Sequence, residues 1–139
     1  MEKIRSIKGI DHIGYAVKDM AEAKEKFKAL GFDFSPEMID ELRDVNVCVG
    51  QGMDLMRIEL LSPIGEKKSP VDTYLRKLGS TPYHICYRCE GIEETIGELC
   101  RIGFTQLSNV APSVPLNGNV CFLFSAEIGL IELIEYEEH

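Results

Sequence analysis

The chain carries two copies of one pattern, and that repeat constrains its fold more than any other feature. His12-Ile13-Gly14-Tyr15 recurs 72 residues later as His84-Ile85-Cys86-Tyr87. Leu30-Gly31-Phe32 recurs at the same offset as Ile102-Gly103-Phe104. Ile58-Glu59-Leu60-Leu61 returns 73 residues on as Ile131-Glu132-Leu133-Ile134. A length of 139 residues suits one domain. Either copy alone would bury too little apolar surface to be robust, so the halves are expected to share a core.

Each copy reads as strand, helix and three strands, which makes the fold class α+β. In the first, Ile10 to Val17 alternates and ends at Asp19, an N-cap with Glu22 three residues on. Met20, Ala23, Phe27 and Leu30 mark one helical face, and Gly31 stops the helix. Strands are expected over 32–38, 45–49 and 55–61, with Gly50-Gln51-Gly52 as a turn. In the second copy Tyr83 to Cys89 opens, and Ile92, Ile96, Leu99 and Ile102 give the helical face before Gly103. Strands over 104–110, 120–124 and 130–136 complete it. Between the copies, Ser69-Pro70-Val71-Asp72 starts a linking helix that Gly79 ends. The expected division is a first module over about 7–62, a linking helix over about 69–79 and a second module over about 81–137. Residues 111–119, with two Pro and an Asn-Gly, are the candidate mobile loop.

Composition narrows the function. A net charge of −8 argues against nucleic acid, because nothing offsets repulsion from phosphates. Apolar runs of only a few residues exclude a membrane span. The N-terminal segment has no signal-like apolar region, so a cytoplasmic protein is expected. Five Cys without such a signal suggest reduced thiols. Cys86 and Cys89 form a C-x-x-C, but in a strand they point to opposite faces. All five, Cys48, Cys86, Cys89, Cys100 and Cys121, are expected to be buried small hydrophobes.

Strand alternation puts His12 with Gly14 and Ala16, opposite Ile13, Tyr15 and Val17. His84 and Cys86 share a face in the same way. Glu59 stands alone between Ile58 and Leu60, and Glu132 between Ile131 and Leu133. A carboxylate in so apolar a strand is costly unless solvated or paired. Taken singly, each of these residues is more often structural than ligating. Their recurrence at matched positions points to one metal site of His12, Glu59, His84 and Glu132, suited to a divalent first-row ion such as Mn, Fe, Co, Ni or Zn.

The duplicated unit, with His on its first strand and Glu on its last, resembles the vicinal oxygen chelate (glyoxalase/bleomycin resistance/dioxygenase) superfamily over essentially the whole chain. Gly9-Ile10-Asp11-His12-Ile13-Gly14-Tyr15-Ala16-Val17 is most similar to the opening of methylmalonyl-CoA epimerases. So are Ile58-Glu59-Leu60-Leu61-Ser62-Pro63, Ser69-Pro70, His84-Ile85 and Leu130-Ile131-Glu132-Leu133. The resemblance implies two βαβββ modules forming a curved sheet around the metal, with His12, Glu59, His84 and Glu132 as ligands. It also implies proton abstraction beside a carbonyl, with Glu132 as base and Glu59 as its counterpart. The substrate would be a small molecule, in particular an acyl-CoA thioester. There are departures. A further carboxylate common on the epimerases' third strand is Val47 here, their doubled His is Tyr83-His84, and a later His-Pro is replaced by Phe124-Ser125.

Lys67, Lys68, Arg76 and Lys77 are candidate phosphate contacts, and Val114 and Leu116 candidates to cover an acyl group. The alternatives are a lactoylglutathione lyase of the glyoxalase I type and a non-catalytic small-molecule binder of the same fold. The superfamily's oxygenases typically use a three-ligand iron site, which fits four ligands less well. A homodimer is possible in this superfamily, although one chain with both copies can hold the site internally.

Overall fold

The computed structural model describes residues 2–65 and 69–137, with the side chain of Pro70 also outside the description. The chain divides into two compact units. The first is His12–Tyr83; the second joins residues 1–11 to residues 84–139. The boundary falls within strand β1 (Ile7–Ala16), whose two parts belong to different units.

In the first unit β1 runs parallel to β5 (Ile58–Pro63), and β5 pairs antiparallel with β4 (Val45–Gln51). Two short strands, β2 (Asp33–Phe34) and β3 (Met38–Asp40), share the outer side of β4. Helix α1 (Met20–Ala29) packs on one face, where Val17, Met20, Phe32, Cys48, Ile58 and Leu60 form the core. Helix α2 (Pro70–Leu78) packs on the other, where Ala16, Val45, Val47, Leu61, Val71 and Leu75 make a second apolar cluster.

The second unit repeats the plan. Strand β6 (Thr81–Cys89) enters it after Tyr83 and runs parallel to β10 (Gly129–Tyr136). Strand β10 pairs antiparallel with β9 (Gly118–Ser125), and β7 (Thr105–Gln106) and β8 (Ala111–Pro112) lie outside β9. Helix α3 (Ile92–Arg101) covers one face through Ile92, Ile96 and Leu99, packed with Cys89, Cys121, Leu123, Ile131 and Leu133.

The helix signals in the sequence are borne out. Asp19 accepts a hydrogen bond from the Glu22 N–H at 3.0 Å. Asp72 accepts from the Ser69 N–H at 2.6 Å, closing a capping box at α2. Gly31 and Gly103 adopt φ of +108° and +111°, the left-handed side a C′ residue needs. In both, the following Phe N–H returns to a carbonyl five residues back, Phe27 and Leu99 respectively. One part of the expected helical faces is corrected: Leu30 and Ile102 are 68% and 41% exposed. Each is the C-cap residue, standing where Gly31 or Gly103 turns the chain away from the helix, so helical periodicity no longer decides its burial.

Strand boundaries need more correction. The expected strands 32–38 and 104–110 are each broken, and the break has the same cause in both units. The Ser35 N–H donates to the Val49 carbonyl, and the Val49 N–H donates back to Ser35 Oγ at 3.0 Å. At the matched place the Leu107 N–H donates to the Phe122 carbonyl, and Ser108 Oγ accepts from the Phe122 N–H at 2.9 Å. A serine hydroxyl thus replaces a ladder carbonyl. Pro36, with no N–H to give, then keeps the first edge strand from continuing. The turn after β4 covers 52–57, so β5 starts at Ile58 rather than residue 55. The candidate loop 111–119 contains paired strand residues, Ala111 against Val120 and Pro112 against Asn119.

Helix α3 lacks a side chain at its N-cap, Gly91. Its first N–H groups, those of Gly91 and Ile92, are taken by the carboxylate of Glu135 from β10. Replacing Glu135 with Ala is expected to destabilise the protein by about 2 kcal/mol, the worth of charge-assisted hydrogen bonds at a positive helix end. Urea unfolding measures it; an unchanged midpoint would mean that solvent caps α3 as well.

Candidate functional site

Each unit holds one His–Glu pair, and the same strand register places both. In the first unit Gly14 of β1 pairs with Glu59 of β5. His12, two residues before Gly14, therefore reaches the Glu59 side of the sheet, away from α1. His12 Nε2 lies 3.8 Å from Glu59 Oε1. The imidazole is 0% exposed and the glutamate 6%. In the second unit Cys86 pairs with Glu132, and His84 again stands two residues earlier. His84 Nε2 lies 3.1 Å from Glu132 Oε1, with both residues 4% exposed. The sequence-predicted partners are thus brought together within each unit.

The surroundings of the two pairs differ. Across from Glu59 on β4 stands Val49, and across from Glu132 on β9 stands Phe122. The Phe122 ring meets the His84 imidazole edge-on, with centroids 5.2 Å apart at 87°. It limits rotation of that imidazole and keeps water from one side of it. Val47 is 1% exposed, paired with Leu61 and packed under Val71 and Leu75 of α2. It closes the sheet with apolar contacts where a carboxylate would be costly. Tyr83 packs against this cluster and meets Tyr74 of α2 edge-on at 4.6 Å.

Buried carboxylates beside buried imidazoles suit a cation. Each pair offers one imidazole nitrogen and one carboxylate oxygen, the donors that borderline divalent ions prefer. Ligands about 2.1 Å from one ion at tetrahedral or octahedral angles lie roughly 3.0 to 3.4 Å apart. The two observed separations, 3.1 and 3.8 Å, fall near that range. The residues present therefore fit a divalent metal.

One residue pair beside the site escaped the sequence reading. The Tyr136 hydroxyl donates to Asp11 Oδ1 at 2.7 Å, and Asp11 is 7% exposed. This bond ties the end of β10, four residues past Glu132, to the residue before His12. A buried Asp next to a candidate ligand was the signal available. Its partner, 125 residues away, gave none.

Other candidates fall outside the half-sites. Lys67 and Lys68 lie outside the described residues. Arg76 and Lys77 are exposed on α2. Leu116 is 8% exposed while Val114 is 40% exposed. Among the cysteines, Cys100 is exposed, contrary to expectation, because it falls on the outer side of α3. Cys48, Cys86, Cys89 and Cys121 are buried thiols outside any disulfide. Burial pushes the Cys48 and Cys89 thiols up to about 11 and raises Cys121, the reverse of a redox pair. A thiol reagent at neutral pH is expected to label one thiol quickly in the native protein and all five in denaturant. Two or more fast equivalents would contradict this burial pattern.

Comparison with known proteins places these features in a wider set. A family profile described as the Glyoxalase/Bleomycin resistance protein/Dioxygenase superfamily matches residues 11–122. The chain is 31% identical over 130 residues to the uncharacterized protein YqjC of Bacillus subtilis (strain 168), covering 91% of each. It is 27% identical over 132 residues to the mitochondrial methylmalonyl-CoA epimerase of Dictyostelium discoideum, covering 93% of this chain and 77% of that one. The crystal structure of methylmalonyl-CoA epimerase from Mycobacterium tuberculosis matches with a TM-score of 0.86 and 24% identity, over 99% of this chain and 94% of that one. That last likeness is one of fold. No helix among the described residues is long and apolar enough to cross a membrane.

Proposed function

The chain belongs to the glyoxalase/bleomycin resistance protein/dioxygenase superfamily, and from that membership we propose that it is a metal-dependent epimerase or isomerase. Its reaction removes a proton beside a carbonyl, and its substrate is a methylmalonyl-CoA-like acyl-CoA thioester. His12, Glu59, His84 and Glu132 supply the ligands of one divalent ion. The observation that carries this reading is the pair of matched half-sites, each with a His Nε2 turned to a buried Glu oxygen. The relative that is named an epimerase of methylmalonyl-CoA supports the choice of substrate.

When bound, a divalent ion would act as a Lewis acid toward the substrate carbonyl. The protein's own groups do the rest. Glu132 accepts the α-proton as general base, in surroundings where Phe122 limits water. Glu59, protonated at the start of the turnover, delivers its proton to the opposite side of the planar carbanion and is left ionised while Glu132 is left protonated, which inverts the centre. Val47 carries no titratable group, so the two glutamates are the evident acid–base pair.

Incubation in deuterated water with a panel of acyl-CoA thioesters tests the reading. Deuterium is expected at the α-carbon of methylmalonyl-CoA or a close analogue. Turnover of a glutathione hemithioacetal without such exchange would assign lactoylglutathione lyase chemistry instead. Absence of exchange together with persistent absence of bound metal would leave only the binding-protein reading.

A further inference from the structure

In the second unit an apolar surface adjoins Glu132 on its own face of the sheet. Phe122 stands opposite Glu132 in the β9–β10 ladder, and Phe124 stands opposite Leu130. Side chains two apart on a strand share a face, so these four lie on one side of the sheet. The helix α3 takes the other side, through Cys121, Leu123, Ile131 and Leu133. Extended by one pair, the β6–β10 register sets His84 beside Leu130. The Phe122 ring meets that imidazole edge-on. Phe122 and Leu130 are half-buried, and Phe124 is 43% exposed.

The sheet itself does not require these residues. The 73-residue offset that matches Glu59 to Glu132 also matches Arg57 to Leu130. Opposite them, Val49 matches Phe122 and Gln51 matches Phe124. The first unit therefore builds the same strands with an arginine and a glutamine where the second has leucine and phenylalanine. An exposed ring at a position that accepts glutamine forgoes burial that a ligand restores. Charge points the same way. Apart from His84, the basic side chain on β6, β9 and β10 is Arg88. It stands opposite Ile134, on the other side of Glu132 from Leu130, and donates to the Lys8 carbonyl at 3.5 Å. The surroundings of Leu130 within this unit thus favour hydrocarbon over a carboxylate.

We propose that Phe122, Leu130 and Phe124 receive the substituent on the substrate's α-carbon, and that this substituent is an alkyl chain longer than methyl. Leu130 begins about 7 Å along the strand from Glu132. A methyl carbon stands only about 1.5 Å from the carbon that bears it. The proposal rests on the acyl-CoA reading above and deepens it by naming the α-substituent.

Calorimetric titration of the protein, loaded with divalent manganese, with methylmalonyl-, ethylmalonyl- and butylmalonyl-CoA tests it. A buried methylene is worth roughly fourfold in affinity, so on this half-open surface butyl should bind at least about tenfold more tightly than methyl. Ethyl should fall between them. Phe124→Ser should erase the preference at an unchanged melting temperature and metal content. Phe124→Leu should keep the preference. So should Ile128→Ser, which removes an exposed apolar side chain from the turn beyond the ladder. Equal binding by wild type, tighter binding of methyl, or no binding of any of the three would overturn the proposal, as would an undiminished preference in Phe124→Ser. A preference for butyl without deuterium exchange at the α-carbon would uphold the apolar surface and sink the catalytic reading. Exchange with no such preference would do the opposite.

Discussion

Replacing Glu132 with Gln is expected to slow deuterium incorporation at the substrate α-carbon by roughly 10² to 10⁴-fold, the usual worth of a positioned general base. The amide keeps an oxygen for a metal and nearly the same volume. Metal content and melting temperature should therefore stay close to wild type. Glu59→Gln makes the informative contrast. If Glu59 only returns the proton on the other side, its variant still exchanges hydrogen but inverts configuration slowly. Proton NMR follows exchange, and circular dichroism of the substrate follows inversion. A Glu132→Gln protein that holds metal and exchanges at the wild-type rate would show that the base lies elsewhere.

Removing the proposed metal should have the next largest effect. Four donors sit in two pairs, each residue at most 6% exposed, so an ion there would be largely shielded from water. Binding to the folded state alone stabilises it by about 4 kcal/mol when free ion exceeds the dissociation constant about a thousandfold. For a chain of this size that shifts the melting temperature by roughly 10 to 20 °C. Chelation is thus expected to lower the melting temperature by that amount and abolish exchange, and one equivalent of divalent ion should restore both. His84→Ala should prevent restoration. Calorimetry and metal analysis check the point; an identical melting temperature before and after reloading would show that the two half-sites do not hold an ion.

Much of this arrangement was legible because it is local. Asp19, Gly31, Ser69, Asp72 and Gly103 act within a turn of the helices they start or stop, and short-range patterns read such signals well. The His–Glu pairing was legible for another reason. Strand parity and repetition fix which residues share a face, and register then joins Gly14 to Glu59 and Cys86 to Glu132. What stayed hidden depends on partners distant in sequence. The Glu135 cap on α3 comes from 43 and 44 residues away, and the Tyr136 bond to Asp11 from 125. Ser35 and Ser108 each bond a backbone N–H fourteen residues on, so the breaks at the strand edges had no local mark beyond Pro36. Leu30 and Ile102 misled because periodicity does not register where a helix has ended.

Those two serines bear on how the molecule keeps to itself in a crowded solution. In each unit the outermost strand is not one long ribbon but two short pieces, two to three residues each, on either side of a serine that borrows a rung of the ladder. A long uninterrupted border of free amides and carbonyls would invite another chain to add itself as the next strand. Here the border is too short and too bent to serve as a template. Resistance to runaway self-association is thus written into the same hydroxyls that hold Val49 and Phe122 in register beside the two glutamates.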